Sequence, residues 1–221
     1  MKKPLIIFGA GDIAQLAHYY FSTDSDYAVA AFTVDAAYLT APEFCGLPVV
    51  PFENLASLYP PATHEVFVAL SYAKLNQLRK EKYFAAKALG YRLASYISTH
   101  ATVLNGQKIG ENCFILEDNT IQPFATIGNN VTLWSGNHVG HHSSIRDHCF
   151  IASHVVISGG VEINESCFIG VNSTLRDHIK VGERCVIGAG VLLLEDAGAE
   201  GVYRAAPTER SRVPSTRLGK I

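Results

Sequence analysis

The sequence predicts two folded units in series, a small α/β domain followed by an all-β parallel coil. Three observations lead there. A short apolar strand near the start runs into Gly9-x-Gly11 and then into a helical pattern. From Ile97 to Leu193 every sixth residue is Ile, Leu or Val. The residue two before each of these aliphatics is mostly small.

In the first unit, Leu5 to Phe8 is too short for a signal-peptide core and reads as a strand ending at the glycines. Ile13, Leu16, Ala17, Tyr20 and Phe21 then follow helical spacing, and Tyr27 to Thr33 is a second strand ending at Val34-Asp35. This is a Rossmann-like βαβ unit with an acidic residue after its second strand. Glycines at that turn let backbone amides approach a phosphate at the helix start; the bland alternative is that they only turn the chain. Val49-Val50 and Glu65 to Leu70 read as further strands. Lys74 to Leu89 reads as a helix closed by Gly90. Its charges, Arg79 and Lys82 among them, suit a solvated face, with contact to a diphosphate as the other reading. Tyr91 to Tyr96 leads into the repeat. The predicted division is 1–95, 96–198 and a tail, 199–221.

A period of six fits neither a helix nor a hairpin meander. It fits a coil with three short flat sides, each contributing one inward aliphatic, so that eighteen residues close one turn and stacked turns bury an aliphatic column. That series, which includes Ala101, Gln107, Cys113, Ala125, Ser143 and Ser173, is mostly small and suits tight corners. Cys149, Cys167 and Cys185 are spaced to stack on one corner as small buried hydrophobes. Glycines one after the aliphatic (Gly110, Gly128, Gly140, Gly170, Gly182, Gly188) suggest turn conformations.

Composition excludes several classes. With 18 Lys+Arg against 20 Asp+Glu there is no basic stripe for nucleic acid. No apolar run reaches membrane-spanning length, so the expected location is the cytoplasm. Five widely spaced cysteines, with no CxxC pair, argue against a disulfide framework or a zinc site.

Histidines concentrate in one stretch: His138, His141, His142, His148 and His154. In the coil, His141 is expected on the outside of a flat side, two after Val139. An outward imidazole on a rigid scaffold is a natural general base near neutral pH.

The order of a Gly9-x-Gly11 βαβ domain, an uninterrupted hexapeptide repeat and histidine on the central coils resembles the bacterial sugar acyltransferases. These include the perosamine and bacillosamine N-acetyltransferases and the sialic acid O-acetyltransferase type. The resemblance implies a homotrimer of left-handed parallel β-helices, acetyl-CoA as cosubstrate with no metal, and a nucleotide-sugar acceptor on the small domain. It implies His141 as catalytic base beside His142. It implies Gly159 as the amide that holds the thioester oxygen, with Ser158, Gly188 and Arg204 on the CoA side. Gly9, Gly11, Asp35, Ser71, Asn137 and His138 fall to the acceptor.

The chain departs from the family pattern in three places. His142 stands where an acidic residue usually orients the base. Asp12 follows Gly11 where Gly-His is usual. The tail reads Gly201-Val202-Tyr203-Arg204 instead of Gly-Val-Pro-Ala. None of the cysteines is expected to face outward as a nucleophile, so direct transfer is expected. Other readings stay open at this level. One is a γ-type carbonic anhydrase built on His142 and His178, and another is a non-catalytic trimeric scaffold. A third is acyl transfer to a small free alcohol or amino acid.

Overall fold

The computed structural model describes residues 2–106, 108–217 and 219; Gln107 of the corner series and Leu218, Lys220 and Ile221 of the tail lie outside them. The α/β unit is built from β1 (Lys3–Phe8), α1 (Asp12–Thr23), β2 (Tyr27–Val34), β3 (Glu43–Phe44), β4 (Leu47–Pro51), α2 (Leu55–Leu58), β5 (Glu65–Val68), α3 (Gln77–Ala88) and β6 (Arg92–Leu93). The strands lie in the order β3-β4-β2-β1-β5-β6, and all pair in parallel except β3 with β4. Leu5, Ile6, Ile7 and Phe8 are all buried, as befits a central parallel strand covered on both faces. On one face Leu5 and Ile7 pack with Ala14, Ala17 and Phe21 of α1, and with Tyr96, Phe114 and Leu116 of the coil. On the other, Ile6 and Phe8 pack with Leu55, Tyr83 and Ala86.

Two elements are shorter than their sequence patterns. β5 ends at Val68. α3 begins at Gln77 because Lys74, Leu75 and Asn76 all have positive φ (51, 52 and 65), which no right-handed helix admits.

The second unit is a left-handed parallel β-helix with three faces. The first face stacks Tyr96–Ile97, Phe114–Ile115, Thr132–Leu133, Phe150–Ile151, Phe168–Ile169, Val186–Ile187 and Val202–Tyr203. The second stacks Thr102–Val103 through His138–Val139 to Leu192–Leu193, and the third Thr126–Ile127 to Lys180–Val181. Partners are eighteen apart, as in Thr120↔His138↔Val156. The last step is shorter: Ile187 pairs with Tyr203, so the start of the tail completes the first face and the coil runs on past residue 198. The inward aliphatics from Ile115 to Leu193 form one buried cluster.

The small corner residues are buried beside this column. Cys113, Cys149, Cys167 and Cys185 share one corner, and their thiols donate to carbonyls of the next coil (Gly128, Asn164, Gly182 and Gly198) at 2.9–3.1 Å. Burial pushes the Cys149 thiol well up, so it stays protonated.

The glycines after the aliphatics do not turn the chain; none has a positive φ. Their Cα faces the backbone of the coil above. A Cβ on Gly140 would lie 2.5 Å from Ser158 C, and one on Gly170 2.6 Å from Ala189 N. The left-handed turn positions fall three after each aliphatic, at Asn112, Asp118, Asn130, His142, His148, His154, Asn172 and His178 among others. Asn, Asp and His tolerate that region best. The corner geometry therefore accounts for His142, His148, His154 and His178, though not for His141.

α3 docks on the first face through His148, which is 1 % exposed. Tyr83 and Phe84 each hold a ring 5.5 Å from it, and Asn130 Nδ2 lies 2.9 Å from its Nδ1. Burial, then Lys80, lowers its pKa from 6.5 to about 4. The folded state thus keeps His148 neutral while the unfolded chain takes up a proton as pH falls below 6.5. Stability from this group is intact above that pH and is lost toward pH 4, by roughly 3 kcal/mol. In denaturant unfolding at pH 7 and pH 4, His148→Asn, which suits the left-handed φ, should remove most of that difference. Among the described residues no helix is long and apolar enough to cross a membrane.

Candidate functional site

His141 follows the second-face strand His138–Val139 and sits in the turn toward the third face, a corner position rather than the flat side expected. Its ring is exposed. Its amide donates to Gln122 Oε1 at 2.8 Å, which fixes the corner to the coil below. Its Nδ1 lies 3.1 Å from His142 Nδ1. His142 stacks on Phe124, with ring centroids 4.7 Å apart. With a proton on His141 Nδ1, His142 Nδ1 can accept it, which is the contact the family pattern gives to a carboxylate, and His141 Nε2 then keeps a lone pair.

Gly159 lies one coil further on. A Cβ there would sit 2.6 Å from His141 Cε1 and 2.8 Å from Nε2, so the bare Cα makes room for the imidazole. Its φ is ordinary, so the backbone does not demand glycine at this position. Its carbonyl accepts from the His178 amide at 3.0 Å, while its own N–H donates to no group among the described residues. Next to it, Ser158 is tied into the corner, its carbonyl accepting from Ser143 Oγ at 2.8 Å. The His141 imidazole and a backbone N–H with no partner among the described residues therefore lie on adjacent coils.

The other expected site residues divide. Gly11 and Ser71 line a 700 Å³ cavity between the two units, together with Asp12, Leu16, Tyr72, Trp134 and Phe150. No basic side chain lines it, and Asp12 stands at its α1 end. Gly9 lies behind the cavity: its φ is +125° and a Cβ would sit 2.8 Å from Ala69 O, so it lets β1 and β5 close up without touching a ligand. Asp35 is outside the cavity lining, with its carboxylate paired to Lys82 at 2.8 Å. Arg79 is 2 % exposed beneath α3, which takes it away from both solvent and any diphosphate. Asn137 is buried too. It donates to Trp134 O and accepts from the Val155 amide at 2.8 Å, so it shapes a corner and does not reach a sugar.

His138 faces outward on the second face, on the strand leading to His141. Gly188 and Arg204 lie together where the tail joins the first face: Gly188 donates to Tyr203 O at 2.8 Å and its Cα faces Arg204. Cys45 is exposed, contrary to expectation; it sits in the β3–β4 turn, and desolvation raises its thiol pKa, which disfavours the thiolate.

Gln122, Phe124 and Trp134 were not singled out from sequence. Gln122 was traceable, since a coil of eighteen puts residue 122 beneath residue 140. Another groove of 740 Å³ runs along Asp147, Glu165 and Glu183, whose carboxylates disfavour an anionic ligand. No group of three His, Cys, Asp or Glu able to hold a metal occurs among the described residues; His142 and His178 share a corner column with Gly160 between them.

Residues 106–141, 124–159 and 160–194 match the family described as bacterial transferase hexapeptide (six repeats). No curated protein matches the chain. Among solved structures, a histidine variant of perosamine N-acetyltransferase from Caulobacter crescentus, in complex with CoA and GDP-perosamine, superposes with a TM-score of 0.82. It is 22 % identical over 90 % of this chain and 92 % of that one. WeeI from Acinetobacter baumannii AYE gives 0.75 at 19 % identity, over 91 % and 96 %. The acetyltransferase domain of PglB from Neisseria gonorrhoeae FA1090, in complex with acetyl coenzyme A, gives 0.55 at 22 %, over 91 % and 96 %. The fold of this chain, small domain included, is the fold of these proteins.

Proposed function

We propose that the chain is an acyl-CoA-dependent acyltransferase, active as a homotrimer, that acetylates an amino or hydroxyl group of a nucleotide-linked sugar. The observation that carries the reading is the pairing of His141 with Gly159. The turn geometry explains His142, His148 and His154 but not His141, and Gly159 is bare where the imidazole needs the space. In this reading the acceptor nitrogen or oxygen attacks the thioester carbonyl carbon while His141 Nε2 takes its proton. The carbonyl π electrons move onto oxygen, where the free Gly159 N–H meets the developing charge. The C–S bond then breaks and the CoA sulfur leaves with the proton from His141. The names of the superposed structures, with CoA, acetyl coenzyme A and GDP-perosamine bound, support the same pair of substrates.

The cavity beside Trp134 is the natural place for the acceptor. Its aromatic and aliphatic floor suits a planar base, and Asp12 disfavours a phosphate at that end. The test is thiol release from acetyl-CoA against UDP-, GDP- and dTDP-linked 4-amino sugars. Turnover on one of them is the expected result. Silence across the panel with CoA still bound would remove the nucleotide-linked acceptor, and silence without CoA binding would favour a scaffold.

A further inference from the structure

We propose that Asn76 and Arg79 are positioning residues that clamp the segment Ser71–Ala73, one wall of the cavity, onto the β-helix; that this wall serves an acceptor rests on the reading above.

Two costly features converge on this segment. Lys74, Leu75 and Asn76 form a single left-handed turn, with φ of 51, 52 and 65. Left-handed backbone costs L-residues about 1–2 kcal/mol each, and such strain persists only where the surroundings over-determine it. Arg79 is the second. Its guanidinium is buried with no carboxylate partner, and its Nε has no hydrogen-bond partner among the described residues. Burial lowers its pKa to about 10, which leaves it charged at neutral pH. An apolar side chain would anchor a helix at less cost.

Both features point at the β-helix. Asn76 Nδ2 donates to Cys167 O at 3.1 Å, and Asn76 is fully buried. Arg79 Nη1 donates to Thr132 Oγ1, and Nη2 to Cys149 O at 3.0 Å and His148 O at 3.3 Å. Nη2 also reaches Asn76 Oδ1 at 3.5 Å, linking the two residues. The Asn76 amide donates back to Tyr72 O at 3.2 Å. Tyr72 in turn packs on Phe150 and Phe168, with centroids 5.1 and 4.8 Å away. The wall thus takes its position from coils 132–167 and not from its own sheet.

Trp134 lines the cavity and is the only tryptophan of the chain, so it reports on the wall directly. Asn76→Gly keeps the left-handed φ and deletes the side-chain bonds from Asn76 to Cys167 O and Arg79. Arg79→Lys keeps the charge and loses the fork. Acrylamide quenching of Trp134 in the unliganded proteins should rise roughly twofold in both variants, with far-UV circular dichroism unchanged. Quenching equal to wild type in folded Asn76→Gly would overturn the clamp, whether or not Arg79→Lys folds. With the nucleoside diphosphate that wild type binds, Trp134 titration should show binding about tenfold weaker in Asn76→Gly. In turnover, the acceptor KM should rise while the acetyl-CoA KM holds. An unchanged acceptor affinity in a variant with raised quenching would overturn the positioning role. A wild type that binds none of UDP, GDP and dTDP would count against the nucleotide reading alone, and the ligand-free quenching would still decide the clamp.

Discussion

Replacing His141 with alanine should lower turnover about 10²–10⁴-fold while acetyl-CoA still binds, the range expected for loss of a positioned general base. The ring makes no contact that the fold requires, so the melting temperature should stay close to that of the parent. The partner is separable. His142 sits at φ 60, so His142→Asn and His142→Gly are the variants its backbone tolerates. Asn offers a side-chain carbonyl to His141 Nδ1–H and should retain most of the activity. Gly offers nothing, frees the imidazole to rotate and should cost about tenfold in kcat, with little change in either KM. Steady-state rates of the three variants by thiol release check the set. Full activity in His141→Ala would take the residue out of the mechanism.

Two glycines on neighbouring coils, Gly140 and Gly159, should respond to alanine in opposite ways. Gly140→Ala places a methyl 2.5 Å from Ser158 C and 2.6 Å from Gly159 N, which are backbone atoms that can move only if the coils separate. Overpacking of this kind costs about 1–3 kcal/mol and sometimes more. Denaturant unfolding should show that loss, with activity falling as the corner shifts. Gly159→Ala places its methyl against the His141 ring, a side chain with open solvent beside it. That variant should fold with stability within about 0.5 kcal/mol of the parent, since its φ is ordinary. Yet it should lose about 10²-fold in kcat, because the imidazole is pushed from its place beside the free amide. Equal behaviour of the two variants, in either stability or rate, would contradict the geometry.

The coil was legible because one six-residue period fixes which side chain points inward. The βαβ start was legible because Leu5 to Phe8 and the Ala14/Ala17/Phe21 face follow strand and helix periods. What stayed hidden depends on neighbours eighteen residues away. Spacing alone gave Gly128 and Gly140 the look of turn residues, whereas the backbone stacked on them is what excludes a Cβ. Histidine looked concentrated for chemistry, but three of the five clustered histidines serve left-handed corners. Asn137 stands two before Val139, in the corner series that the coil buries, so its repeat position marked it as inside although its polarity suggested a ligand contact. Arg79 looked like part of a solvated face because the helix pattern does not say that a second unit lies beneath it, and Lys82 because the pattern does not show Asp35 beside it. Gly159 was legible only through the family resemblance; the eighteen-residue period then sets it one coil beyond His141.

The α/β sheet and the first face of the β-helix share one apolar interior, from Leu5 and Ile7 through Phe21 and Phe67 to Tyr96 and Phe114. Neither half is therefore a free-standing module. A cut near residue 95 would leave one fragment showing Phe21 and Phe67 to water, and the other Phe114, Phe150 and Trp134. Both would be prone to aggregate. Recombination could not pass the α/β half to another coil without rebuilding that seam, so under the proposed function acceptor choice and transfer chemistry would be inherited as a single unit.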